Sequence, residues 1–103
     1  MRLYLVTEDG RAVWVAALAH EHMYSYVANI GMFHDNNALR NDFYMERDFG
    51  SEPIGAGEAR RLIRDGVGTL DEDEDSESLA GWRSDSNALA AADVLSMAPG
   101  SNE

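Results

Sequence analysis

The sequence predicts a small single domain of the α+β class. An N-terminal antiparallel β-hairpin packs against two or three helices, and an acidic linker and a C-terminal helix follow. Three observations lead to this reading. RLYLVT and RAVWVA flank the tripeptide EDG, AGEARRLIRDG carries helical spacing with a glycine stop, and the charge pattern changes sharply at GVGTLDEDEDSES. These divide the chain into a compact body at 1–69, an acidic linker at 70–85, and a short helix with a flexible end at 86–103.

The hairpin comes first. Both arms are rich in leucine, β-branched and aromatic residues, and Asp9-Gly10 supplies the left-handed position that a three-residue loop with a bulge needs. Alternation places Leu3 and Leu5 on one face of the first arm, and Tyr4 and Val6 on the other.

A helix is expected next, from about Ala17 to Ile30. Ala19, Met23, Tyr26, Val27 and Ile30 recur at spacings of three and four, and Gly31 sits where a C-terminal glycine belongs. The segment MFHDNN then reads as a polar connection, with Asp35, Asn36 and Asn37 as capping or turn residues. The following ALRNDFYMERDF fits two patterns. A helical turn near Ala38–Asn41 followed by a third strand, Phe43–Phe49, is the preferred reading.

Ser51-Glu52-Pro53 interrupts the chain, and a helix follows from about Ala56 to Asp65. Ala59, Leu62 and Ile63 form its apolar stripe, Glu58 lies in its first turn, and Gly66 ends it. SDSNALAAADVLSM predicts the last helix, with Ser84, Asp85 and Ser86 as caps and a thin apolar face that includes Leu89 and Leu95.

Composition narrows the function. The chain has 103 residues, no cysteine and a formal net charge of −11. Thiolate metal sites, disulfides and a cysteine nucleophile are therefore excluded. No apolar run approaches the roughly 20 residues of a membrane span, and the opening MRLYLVTEDG does not read as a leader, so a cytoplasmic protein is expected. Residues 1–69 carry ten acids and seven arginines, whereas residues 70–103 carry nine acids and one arginine. Direct nucleic-acid binding needs a basic surface, so this balance argues against it and favours a basic protein partner.

Candidate chemistry is sparse. His20 and His22 form an HxH pair that could share a metal in a strand but not in a helix. With His34 they make the weak metal alternative. Asp71, Asp73 and Asp75 match the start of a calcium loop, but Ser76 and Trp82 stand where glycine and glutamate are needed. An acid–base site is conceivable from His34, Asp35, Arg40 and Asp42. Phosphate-binding loops, dinucleotide fingerprints and nucleophile elbows are absent from the sequence.

The expected function is a non-catalytic acidic binding or inhibitor protein of the antitoxin, immunity or phage-encoded type, of which a DNA mimic is one variant. It would engage a basic protein, such as a nucleic-acid enzyme, through Asp71, Glu72, Asp73, Glu74, Asp75, Glu77, Trp82, Leu89 and Leu95. No cofactor or membrane is required, and homodimerisation is left open. The alternative is a small phosphoryl-transfer or nuclease-like enzyme built on His34, Asp35, Arg40 and Asp42.

Overall fold

The computed structural model describes residues 1–98. Among these residues six strands form one antiparallel sheet, and four helices cover both of its faces. Strands β1 (Arg2–Glu8), β2 (Arg11–Ala19), β3 (His22–Val27) and β4 (Met32–Asp35) run as a meander. Strand β5 (Gly50–Ile54) lies beside β1 at one edge, and the two-residue β6 (Leu89–Ala90) lies beside β4 at the other. The α+β class is thus the class the sequence implies.

The first hairpin forms where expected, with a different turn. Glu8 pairs with Arg11, so Asp9-Gly10 is a two-residue loop, and both residues have positive φ. That geometry matches the right-handed twist of the arms. The irregularity sits further in, where Val6 pairs with Trp14 but Thr7 pairs with Ala12, leaving Val13 as a bulge.

The expected helix over 17–30 does not form. Residues 11–19 continue as one long strand, His20 and Glu21 make a second two-residue turn, and residues 22–27 return as β3. His20 (φ 51°) and Glu21 (φ 68°) both take the left-handed conformation without glycine. The Nε–H of Arg40 donates to the Glu21 carbonyl at 2.6 Å and holds this turn. Gly31 (φ 81°) closes the β3–β4 turn, whose Gly31 N–H donates to the Val27 carbonyl, rather than ending a helix.

Residues 38–49 also differ from the expected third strand. Helix α1 (Asn37–Asn41) runs directly into a π-helical turn, Asp42–Glu46, and the third strand beside the hairpin begins only at Gly50. Asn36 caps α1, its Oδ1 accepting from the Leu39 N–H.

Helices α2 (Ala56–Arg64) and α4 (Ala91–Met97) cover one face of the sheet. There Ala56, Ala59, Val94 and Leu95 pack on Leu3, Val15, Ala17, Tyr26 and Phe33. On the opposite face Leu39, Phe43 and Phe49 pack over Tyr4, Val6, Ala16 and Met23. Helix α3 (Ser76–Arg83) reaches this second face through Trp82. Leu3 and Leu5 do face one layer, and Tyr4 and Val6 the other, as alternation requires.

The segment 70–85 therefore contains an ordered helix within the expected linker. The last helix starts later than its capping residues suggest, because Leu89 and Ala90 first pair with Phe33 and Met32. The expected flexible end beyond residue 98 lies outside the described residues.

Candidate functional site

The acidic segment is placed on the body by a short series of contacts. The loop after α2 passes beneath the β3–β4 turn, where Gly68 approaches the Tyr26 carbonyl and accepts a hydrogen bond from the Ala28 N–H. Asn29 then grips Leu70, two residues further on, from both sides. Its Oδ1 accepts from the Leu70 N–H at 2.8 Å, and its Nδ2 donates to the Leu70 carbonyl at 2.9 Å. The same amide donates to Glu72 at 2.8 Å, and Arg83 reaches back from the end of α3 to both Glu72 oxygens at 2.9 Å.

These contacts shape the electrostatics. Hydrogen bonds from Asn29 and Arg83 hold the Glu72 carboxyl below the usual glutamate value. Asp71 Oδ1 accepts from the backbone N–H groups of Asp73 and Glu74, and those bonds lower its pKa as well. Asp73, Glu74 and Glu77 are exposed and make no side-chain hydrogen bond or ion pair among the described residues. Asp75 is half-buried just before α3. The result is a shelf of carboxylates at the start of a helix, of which Asp71 and Glu72 are held by hydrogen bonds.

The apolar members of the expected partner surface are engaged within the molecule. Trp82 lies 5.9 Å from the His34 ring, tilted by 30°, and meets Trp14 edge-on at 6.2 Å. Leu89 pairs with Phe33, and Leu95 is buried against the sheet. Leu79, which sequence reasoning passed over, is completely buried and anchors α3.

The four residues of the acid–base alternative have separate partners. His34 is 1% exposed, and its Nδ1 lies 3.2 Å from Asp85 Oδ2. Its Nε2 is buried without a hydrogen-bond partner. Asp35, the next residue of the strand, faces the other way and lies 3.4 Å from His22 Nδ1. Arg40 is committed to the Glu21 carbonyl. Asp42 is 4% exposed, and its two oxygens accept from the Asp48 and Phe49 N–H groups at 2.8 and 3.2 Å.

The histidines are likewise dispersed. His20 is exposed in a turn, His22 is exposed at the start of β3, and His34 is buried on the face opposite His22. One cluster was not foreseen: carboxylate oxygens of Asp42, Glu46 and Asp48 lie within 4.8 Å of one another. The π-helical turn, invisible in the sequence pattern, brings them together. Asp42 is already satisfied there by backbone donors.

Fold and site together define an acidic α+β domain with an open antiparallel sheet covered on both faces. No known protein family, curated protein or solved structure matches the chain. No helix among the described residues is long and apolar enough to cross a membrane.

Proposed function

We propose that the protein is a non-catalytic acidic binding protein of the inhibitor type, acting in the cytoplasm on a basic protein partner such as a nucleic-acid enzyme. The supporting observation is the shelf at Asp71–Glu77, held to the body by Asn29 and by the Glu72–Arg83 pair. With the segment closed on the body, its carboxylates lose less backbone freedom on binding than carboxylates on an extended chain. They also steer a basic partner by their field. Antitoxin, immunity and DNA-mimic proteins all fit that chemistry.

The test is affinity capture from the source organism. The wild type is compared with a Asp73→Asn, Glu74→Gln, Glu77→Gln variant, which removes exposed charge without touching the shelf's internal bonds. The wild type should retain a basic protein, and the variant should not. Raising the salt to about 0.5 M, where screening acts over roughly 4 Å, should release it. Equal retention by both proteins at both salt concentrations would exclude this reading.

A further inference from the structure

We propose that residues 71–87 form a strap that opens and closes as a unit, independently of the sheet beneath it. The first ground is the scarcity of its attachments. Among the described residues, only two hydrogen-bonded side-chain contacts join this segment to the body, Asn29 to Glu72 and His34 to Asp85. Its apolar anchors are the buried Leu79 and the half-buried Trp82. By contrast, β1, β2 and β3 each pair with a neighbouring strand on both sides.

The second ground is the helix itself. α3 has eight residues, short of the length at which a helix persists without tertiary support. Its capping position, Asp75, makes no side-chain cap bond. Gly81 lies within its last turn and is exposed, and outside its own helix no atom lies within 4 Å of where a Cβ would sit, so nothing in the packing requires glycine there. An interior glycine weakens a helix relative to alanine.

The third ground is that two forces favour opening. Asp71, Glu72, Asp73, Glu74, Asp75 and Glu77 repel one another, and only Arg83 pairs with any of them among the described residues. Beneath the strap, His34 Nε2 is buried with no partner, an arrangement that costs free energy until water reaches it. Lifting the strap frees α3 to unravel, which spreads the carboxylates, and it uncovers Trp14 and lets water reach His34. Salt screens the repulsion among the carboxylates and so favours the closed arrangement. The strap thus belongs to the weakly stable end of the molecule by construction.

Native-state hydrogen exchange of the full chain tests this. The amides of α3, beginning with Leu79, should exchange through an opening that barely depends on denaturant, with at least about ten-fold less protection than the β2–β3 ladder. Gly81→Ala should raise protection in α3 about five-fold and leave the ladder unchanged. About 0.5 M sodium chloride should protect α3 more than the ladder. Equal protection and equal denaturant dependence in α3 and the ladder would overturn the proposal. So would a Gly81→Ala effect spread evenly over both, or a salt effect no larger in α3 than in the sheet.

Discussion

His34 Nδ1 lies 3.2 Å from Asp85 Oδ2, joining strand β4 to the loop that follows α3. The imidazole is 1% exposed and the carboxylate 22%. This is a pairing between a buried strand and a surface element, covered by Trp82. His34→Ala should therefore lower stability by about 2–4 kcal/mol, the range for truncating a large buried side chain. Urea denaturation of the variant measures it. An unchanged midpoint would instead favour the enzymatic alternative, in which His34 acts on a substrate.

Gly68 separates backbone conformation from packing. Its φ is 94°, and a Cβ there would run into the Tyr26 carbonyl oxygen. Gly10 has a similar φ of 78° but open space around it. Gly68→Ala should cost about 2–4 kcal/mol and Gly10→Ala about 1 kcal/mol. Thermal melts of the two variants give the comparison. Equal losses would mean that the close approach of Gly68 to β3 contributes little.

Asp42 holds the end of the π-helical turn. Asp42→Ala leaves the Asp48 and Phe49 amides without their acceptor and should cost about 1–3 kcal/mol. Asp48→Asn changes an exposed member of the same carboxylate cluster and should be close to neutral. A calorimetric melt of each variant distinguishes a capping carboxylate from a mere surface charge.

Acid should weaken the shelf in a defined direction. Asp71 and Glu72 both have pKa values below their ordinary 3.8 and 4.5. A group with a lowered folded-state pKa contributes stability that is complete above its unfolded value and is lost as pH falls through the folded one. Both contributions are therefore present at pH 7 and decline below about pH 4.5. The stability difference between the wild type and Glu72→Gln should shrink as pH falls through that window. A difference that stays constant from pH 7 to pH 3 would contradict the bonding described for Glu72.

The sequence was most legible where one cause acted alone. AGEARRLIRDG has one apolar stripe and one stop, and α2 follows it almost to the residue. The first hairpin was legible for the same reason, down to which of Leu3, Tyr4, Leu5 and Val6 face together. β3 was not, because it is buried on both faces. Met23, Ser25 and Val27 point one way and Tyr24 and Tyr26 the other, so polar–apolar alternation disappears. The remaining apolar positions mimic helical spacing by coincidence. The turn at His20-Glu21 had no glycine to announce it. The aromatic and β-branched content of MYSYV was the signal that could have decided the matter.

The site was legible by type and not by place. The charge run marked the shelf residues, but no pattern in the chain foretold that Asn29, more than forty residues away, would fix Leu70 and Glu72. The sequence placed Trp82 on the partner surface, and its contacts with Trp14 and His34 depend on a sheet order that periodicity alone does not supply. The carboxylates of Asp42, Glu46 and Asp48 converge through i→i+5 hydrogen bonding, a geometry without a sequence signature.

Trp14 and Trp82 are the chain's only two tryptophans, and they touch each other across the boundary between sheet and α3. The protein's intrinsic ultraviolet emission and near-ultraviolet dichroism therefore originate largely at that one contact. A displacement of the acidic helix would therefore register in the optical spectrum of the unmodified molecule, with no dye or label to disturb it.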